Sequence, residues 1–210
     1  KSIVYKDNDF ESYKLENIGV IKIKSNVFEI FAELNESSNL IQAINIIEND
    51  KDIDAMLIIN EDNCLGSNEY TKYLKTIFSR HEGEQGSLHL ELSNNKTRTR
   101  QLVIMNNIIK KIIHSDKLVV NAMQGEIVTP FFGLSLACDI RLASENMCFL
   151  LSHIKMNLHP SGALPYFLPK YIGRGKSAQI LFYKDSLTVQ EAFELELLSE
   201  ILPIENFEEE

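Results

Sequence analysis

The chain has 210 residues, enough for one sizeable domain or for one domain with a small appendage. Hydrophobic residues make up 44% of it and charged residues 24%, the balance of an ordinary soluble globular protein. A formal net charge of −9 and a sequence pI near 5.1 argue against a nucleic acid or an anionic membrane as the main partner. They do not exclude a small anionic ligand, because a local basic patch is enough to bind one.

The cysteines and the apolar segments favour the cytoplasm. Cys64, Cys138 and Cys148 form no C-x-x-C pair and no metal-binding spacing, so we expect reduced thiols and no bound metal. No apolar run approaches the ~20 residues of a membrane-spanning helix. Residues 1–14 are too polar and acidic for a signal peptide. We therefore predict a cytoplasmic protein with neither a membrane nor a nucleic acid partner.

Strand and helix signals alternate in the first part of the chain. Residues 18–24 alternate apolar and basic side chains, as in a half-exposed strand. Apolar residues then recur at helical spacing from Leu40 to Ile47, which predicts a helix with an N-cap among residues 35–39 and an end near residues 49–50. Residues 55–59 are apolar throughout, which predicts a central strand of a parallel sheet.

A loop that contains Gly66 follows this strand. Residues 79–100 are rich in charge, Gly, Ser, Asn and Thr, and we interpret them as a mobile surface segment with broken helix. Residues 101–114 place apolar side chains at i, i+3 and i+4, which predicts an amphipathic helix.

Residues 117–140 organise the second half of the chain. A short apolar run at 118–122 predicts a buried strand, and a helix over 131–137 is expected to start with Thr129 as N-cap and Pro130 at N1. Further predictions, in chain order, are strands at 139–143 and 148–151, a proline-rich loop with a short helix, and helices at 175–182 and 188–195. This alternation favours an α/β fold, in which ligands bind where strands lead into helices.

Several stretches carry recognisable motifs. Residues 117–125 read KLVVNAMQG and residues 134–145 read LSLACDIRLASE. Residues 154–182 and 186–203 continue the pattern. Together they resemble the crotonase superfamily, the enoyl-CoA hydratase/isomerase family, whose members carry K-P-V-I-A-A-V-N-G and L-A-L-A-C-D-I-R-I-A-S-E. The resemblance extends over roughly residues 18–204 and is most specific from residue 117 onward.

The resemblance implies a crotonase-like (ClpP/crotonase) α/β fold, a repeated ββα superhelix with parallel sheets, in a single core domain over residues 1–210. It implies coenzyme A or acyl-carrier-protein thioesters as substrates or ligands, no tightly bound cofactor, and lyase or isomerase activity in fatty acid metabolism. It also implies a homotrimer or a hexamer of trimers. The trimerisation helices that follow the core in the family are short or missing in this sequence.

In that family two backbone N–H groups form an oxyanion hole for the thioester carbonyl. The first donor position matches Ser67, which follows Gly66. The glycine-rich turn of the second donor matches Thr129–Phe131, in which Pro130 has no N–H. Phe131 or the next residue would supply a replacement donor from the first helical turn. The substrate-binding set implied by the resemblance is Gly66, Ser67, Thr129, Pro130, Phe131 and Gly133.

The two proton-transferring glutamates of the family have no counterpart. One position matches Gly133, and the other matches His153, whose imidazole is a candidate base. The alternative for His153 is a structural hydrogen-bonding role. Glu126 is free to face toward or away from the site, and Asp139 is expected to be a structural acceptor.

Basic residues are candidates for binding the phosphates of coenzyme A, with a solvated helix face as the alternative. They are Arg98, Arg100, Lys110 and Lys111.

Three functions remain open. The first is isomerisation, decarboxylation or another enolate step on an acyl thioester, with Ser67 as oxyanion donor and His153 as base. The second is a non-catalytic acyl-thioester binder or a structural partner of an active paralogue. The third is an ordinary hydratase, if the true match is shifted by a residue or two.

Overall fold

The structure is a computed structural model that describes residues 2–25, 27–30, 34–79, 95–155 and 158–207. Its strands are β1 (Ser2–Lys6), β2 (Phe10–Leu15), β3 (Ile18–Ile23), β4 (Ala55–Asn60), β5 (Leu118–Met123), β6 (Glu126–Val128), β7 (Ile140–Ser144), β8 (Cys148–Leu150), β9 (Ser186–Thr188) and β10 (Glu200–Leu202). Within these residues, seven strands form the central sheet in the order β1-β2-β3-β4-β5-β7-β10. Strands β1 to β3 pair antiparallel, and the pairs from β3 to β10 are parallel.

Strands β6, β8 and β9 form a second, small sheet. The helices are α1 (Val27–Ile30), α2 (Leu34–Asn49), α3 (Ser67–Ser79), α4 (Asn95–Ile113), α5 (Thr129–Ser135), α6 (Ser152–Lys155), α7 (Leu164–Tyr183) and α8 (Val189–Glu194), followed by a 3-10 turn at Ile204–Asn206. Strands β5 and β6 lead into α5, and β7 and β8 lead into α6, so a ββα unit repeats. The predicted crotonase-like α/β fold is confirmed.

The apolar core lies mainly between the central sheet and the helices. Ile44 of α2, Ile108 of α4 and Phe132 of α5 are almost fully buried there. A smaller cluster, which Phe207 joins, contains Val20, Ile59 and Ala122 from neighbouring strands. Among the described residues, no helix is long and apolar enough to cross a membrane.

The strands predicted at 18–24, 55–59, 118–122 and 139–143 match β3, β4, β5 and β7, whereas β1 and β2 were not predicted. The expectation that 18–24 is half-exposed was wrong, because most of β3 is buried. Strand β2 buries Phe10 and Ser12 on one side, and the rest of it is polar or half-exposed. A strand with so few apolar side chains gives no period-2 signal. Its register comes from backbone pairing with β3, which a propensity argument does not reveal.

The prediction of broken helix over residues 79–100 was wrong for its last part, because α4 starts at Asn95 and runs on through the predicted helix. The first turn of α4 is charged and rich in Thr, so no apolar periodicity marks where the helix starts. Residues 80–94, with His81 and His89, lie outside the described residues. Helix α3, Ser67–Ser79, was not predicted either.

The predicted short helix and the helix at 175–182 are two halves of α7. Gly173 has non-helical angles, φ 75° and ψ 163°, and separates the halves. Pro165 lies in the first turn, where its missing N–H leaves no helical bond unmade. The predicted helix at 188–195 is confirmed as α8, with Thr188 as N-cap and Glu191 completing a capping box.

Two glycines bring α5 into backbone contact with the segment before α7. A Cβ on Gly133 would lie 2.1 Å from the carbonyl oxygen of Gly162, and a Cβ on Gly162 would lie 2.0 Å from that of Pro130. Real Cβ atoms do not approach so closely, so the two chains cross at a distance that only glycine allows. This contact fixes α5 against α7.

We expect Gly133→Ala to destabilise the fold by about 3 kcal/mol, since the added methyl group must push two backbone segments apart. Gly175→Ala is the matched control, because a Cβ there meets nothing within 4 Å and alanine favours the helix by ~0.5–1 kcal/mol. Urea denaturation of both variants measures the two effects. Equal stability of the two variants would contradict the proposed crowding.

Candidate active site

The candidate site lies where β4 and β5 end. The side chain of Asn60 donates to the carbonyl of Gln124 over 2.9 Å, and the amide of Gln124 donates to Oδ1 of Asn60 over 3.2 Å. The Gln124 side chain returns a bond of 2.8 Å to the Asn60 carbonyl. Both residues are buried. These bonds hold the loop that leads to α3 in fixed relation to the turn that leads to α5, as a two-part binding site requires.

Ser67, the predicted first oxyanion donor, forms the first turn of α3. Its backbone N–H donates to Oε2 of Glu126 over 2.9 Å, and its hydroxyl donates to the same oxygen over 2.5 Å. A Cβ on Gly66 would lie 3.0 Å from that oxygen, so glycine makes room for the carboxylate. A carboxylate at a helix N-terminus also interacts favourably with the helix dipole. The Glu126 side chain therefore faces the site, and its carboxylate already accepts the hydrogen bond of the Ser67 N–H.

The predicted second half of the oxyanion hole is the start of α5. The N-cap is Val128, with φ −75° and ψ 161°, so the expectation that Thr129 is the N-cap was wrong. The Thr129 hydroxyl turns inward, 2.9 Å from Nδ1 of His153 and 3.2 Å from the carbonyl oxygen of Leu150. Pro130 follows within the first turn and offers no N–H. A donor from Phe131 stays a prediction.

Gly133, which matches a catalytic glutamate of the family, faces the carbonyl of Gly162. No side chain fits there. The packing around Gly133 therefore excludes a carboxylate at this position.

His153 lies at the first turn of α6 and is buried, with 6% of its surface exposed. Its Nε2 lies 3.0 Å from the carbonyl oxygen of Leu181, which only accepts, so Nε2 carries a hydrogen. In the neutral ring Nδ1 is then an acceptor, so the single hydroxyl hydrogen of Thr129 is shared between Nδ1 and the carbonyl oxygen of Leu150. Burial lowers the pKa of His153 below its ordinary value of 6.5, although the bond to Leu181 opposes this shift. Both nitrogens are used within the protein, which favours the structural role over the base.

An aromatic pocket lies next to these residues. Phe28, Tyr70, Tyr73, Met105 and Phe131 line it. The Phe28 ring centroid lies 5.2 Å from that of Tyr70, and 5.4 Å from that of Phe131 in an edge-on arrangement. A lining rich in apolar and aromatic side chains is typical of small-molecule sites.

Of the aromatic residues of this pocket, Phe131 alone was predicted from the sequence. Tyr70 and Tyr73 are three residues apart, so they share a face of α3. That spacing would have been visible had residues 67–79 been recognised as a helix. Phe28 comes from α1, a single turn too short to predict.

The candidate coenzyme A residues do not form one cluster. Arg100 lies on α4 next to Gln101, which lines the aromatic pocket together with Met105. Lys110 and Lys111 are exposed near the end of that helix, ~15 Å along its axis from Arg100. Lys111 donates to Oδ1 of Asn45, which ties α4 to α2. The side chain of Arg98 lies outside the described residues.

Asp139 is confirmed as a structural acceptor, since its Oδ2 accepts a hydrogen bond from the backbone N–H of Val119 over 2.8 Å.

The cysteine thiols are poor nucleophiles. Burial raises the pKa of Cys64 and of Cys138 to about 12, and it also raises that of Cys148. Among the described residues, no group of three or more His, Cys, Asp or Glu is placed to hold a metal ion.

Comparison with solved structures defines the fold class first. The enoyl-CoA hydratase from Bacillus halodurans superimposes with a TM-score of 0.75 at 20% identity, over 94% of this chain and 74% of that one. The model of the family "Enoyl-CoA hydratase/isomerase" matches residues 15–210. The chain belongs to the enoyl-CoA hydratase/isomerase family.

Curated relatives match over shorter stretches. A crotonyl-CoA hydratase from Syntrophomonas wolfei subsp. wolfei is 25% identical over 95 residues, which are 45% of this chain and 36% of the relative. Human chromodomain Y-like protein 2 is 30% identical over 125 residues, 58% of this chain and 24% of the relative. The matched stretch is therefore less than half the length of either relative.

The structural role of His153 predicts a pH-dependent stability. We expect His153→Gln to lower the free energy of unfolding by about 2 kcal/mol at neutral pH, because it disturbs two buried hydrogen bonds. The folded state keeps His153 neutral at pH values where the unfolded chain takes up a proton. Its contribution is therefore complete above pH 6.5 and is lost as the pH falls through the lowered pKa.

Urea denaturation of wild type and His153→Gln above and below pH 6.5 measures this contribution. The difference in stability between the two proteins should narrow at the lower pH. A difference that stays constant would mean that His153 titrates alike in the folded and unfolded states.

Proposed function

We propose that this protein binds acyl groups presented as thioesters of coenzyme A or of an acyl carrier protein, and that it does not hydrate them. Family membership and the aromatic pocket support the first part. The bonds from Ser67 to Glu126 carry the second part, because a hydratase must offer that amide to the thioester oxygen.

The other residues of the site support the same conclusion. Hydration needs positioned acid and base groups to activate water and deliver a proton. Position 133 has no room for a carboxylate, and both nitrogens of His153 bond within the protein. Pro130 removes an amide from the turn that matches the second donor. Four changes thus act against hydration, and none of them closes the aromatic pocket.

An enolate step is the second candidate function, and one observation favours it. The amide and hydroxyl of Ser67 already hold a carboxylate oxygen, which resembles the charged oxygen of a thioester enolate. Decarboxylation demands least of the protein, since the departing CO₂ leaves the electron pair that forms the enolate. If Glu126 swings away, Ser67 is free to stabilise it. Acetyl-CoA formation from malonyl-CoA, followed by chromatography, tests this candidate.

Assembly remains a proposal as well. We propose a homotrimer, or a hexamer of trimers, on the basis of the family. A structural partnership with an active paralogue is the alternative, and mass measurement of the native protein with and without that paralogue distinguishes the two.

Calorimetric titration with acetyl-CoA and with free coenzyme A tests acyl binding. We expect acetyl-CoA to bind more tightly than coenzyme A, because only the thioester places an acyl group in the aromatic pocket. We also expect crotonyl-CoA to bind without conversion to the hydroxyacyl product. Hydration at the rate of an active enoyl-CoA hydratase assayed in parallel would refute the second half of the proposal, and absence of binding by any acyl-CoA would refute the first.

Glu126 should compete with the ligand for Ser67. We expect Glu126→Ala to raise acetyl-CoA affinity about tenfold, since it frees a donor engaged in a charge-assisted hydrogen bond. The same change should lower stability by about 1 kcal/mol, because α3 loses the carboxylate at its N-terminus.

Glu145→Ala is the control, since that glutamate is exposed and lies in the turn after β7. Calorimetry and urea denaturation of the variants give the two numbers. Unchanged affinity in Glu126→Ala would show that Ser67 takes no part in binding.

A further inference from the structure

Ser67 carries a reactive group beside its backbone amide, a hydroxyl that is bound to a carboxylate. Its Oγ lies 2.5 Å from Oε2 of Glu126, at the short end of the range for a hydroxyl that donates to a charged oxygen. Both residues are half-buried, so a ligand and water can reach the pair. A serine in contact with a carboxylate is an arrangement in which a base activates a nucleophile. The pair is therefore able to do more than cap α3.

Three contacts hold Glu126 in the position of a base. Its backbone N–H donates to Oδ1 of Asn63 over 3.0 Å, which ties β6 to the loop before α3. The Ser67 N–H donates to Oε2 over 2.9 Å, so the carboxylate is held by the residue that it would deprotonate. Gly66 leaves the space that the carboxylate fills, since a Cβ there would lie 3.0 Å from Oε2. A base that is oriented by a further group is typical of sites with an activated nucleophile.

Ser67 also lies where the proposed acyl binding places the thioester carbonyl. It is in the first turn of α3, and a helix N-terminus favours negative charge on a reacting oxygen. Tyr70, one helical turn further on, lines the aromatic pocket. In serine proteases the N–H of the nucleophile belongs to the oxyanion hole, so one serine supplies both the attacking oxygen and a donor. Ser67 offers the same two groups.

The thiol nearest to Ser67 in the chain does not compete with it. Cys64 is buried, and burial raises its pKa to about 12, so the thiolate that would attack a carbonyl is not formed near neutral pH. The Ser67 hydroxyl has a carboxylate in contact to take its hydrogen. Ser67 is therefore the better nucleophile of the two.

We propose that Ser67 is a nucleophile that cleaves acyl thioesters, with Glu126 as its general base. This inference rests on the proposed acyl-thioester binding and adds a hydrolytic activity to it. The thioester carbonyl takes the Ser67 N–H, and Glu126 keeps the hydroxyl. The Ser67 oxygen then bonds to the acyl carbon, its hydrogen passes to Glu126, and the carbon–sulfur bond breaks. The sulfur leaves with the bonding electron pair and afterwards takes the proton from Glu126, which gives a free thiol.

Water completes the cycle. Its oxygen bonds to the acyl carbon, one of its hydrogens passes to Glu126, and the ester bond to Ser67 breaks. The Ser67 oxygen keeps that electron pair and recovers the proton from Glu126, so a carboxylic acid is released and the protein is regenerated. A thioester demands little of this pair, since a thiol with a pKa of about 8.5 leaves as its anion without help from an acid.

Release of coenzyme A from acetyl-CoA, followed by chromatography, tests the activity. We expect wild type to release many equivalents per protein, and Ser67→Ala to release none above the rate without protein. Glu126→Gln should lower the rate by about 10²-fold or more, because its amide oxygen still accepts the bonds that cap α3 but cannot take a proton. Glu145→Gln, at an exposed site in the turn after β7, should match wild type.

Rapid acid quench during the first turnover tests the covalent step. Mass spectrometry should find one added acetyl group on the wild-type peptide that contains Ser67, and Ser67→Ala should lack it. Release of coenzyme A without this adduct would mean that Glu126 activates water directly. Release that survives in Ser67→Ala would assign the activity to another group. Either result overturns the proposal.

The Ser67→Ala variant also separates hydrolysis from binding. It lacks the hydroxyl but retains the backbone N–H, so it should still bind acetyl-CoA in calorimetry. Binding by this variant without coenzyme A release by wild type overturns hydrolysis and leaves acyl binding intact. If neither protein binds any acyl-CoA, both proposals fall.

Discussion

The backbone contact between Gly133 and Gly162 constrains the rest of the site. It brings α5 so close to the segment before α7 that a Cβ on either glycine would overlap a carbonyl oxygen of the other segment. Helix α5 follows β6, which carries Glu126, and α7 supplies the Leu181 carbonyl that holds His153. The contact thus positions the turn that matches the oxyanion hole, and it also excludes a glutamate at position 133. The same backbone contact thus determines both how α5 packs and which side chains position 133 can accept.

The Ser67–Glu126 pair shows how the fold supplies an anion site that the chain itself fills. The loop from β4 to α3 places an amide and a hydroxyl together, and the link between Asn60 and Gln124 fixes that loop beside β6. Because the occupying oxygen belongs to a side chain, the ligand oxygen of the proposed complex would replace it by rotation of Glu126, without movement of the backbone. In that proposal, ligand affinity depends on competition between two oxygens for the same donors.

The sequence predicts the central architecture because buried parallel strands are mostly apolar, as at Ala55–Asn60 and Leu118–Met123, where each strand contains a single Asn. Motif matching from residue 117 onward places the turn and the positions that correspond to the family's catalytic groups. It does not reveal which contacts the residues at those positions make. The partner of Ser67 is 59 residues away in the chain, and that of His153 is 24 residues away. Contacts of this kind come from tertiary packing, and neither periodicity nor capping signals encode them.

Thr129, Pro130 and Phe131 stand at the positions matched to a glycine-rich turn, and each has a defined contact in this fold. Thr129 bonds to His153, the Pro130 carbonyl packs against Gly162, and Phe131 packs edge-on against Phe28. Pro130 and Phe131 also line the aromatic pocket. The proline that offers no N–H at the position matched to the second oxyanion donor therefore also shapes this pocket, as the acyl binding proposed above requires.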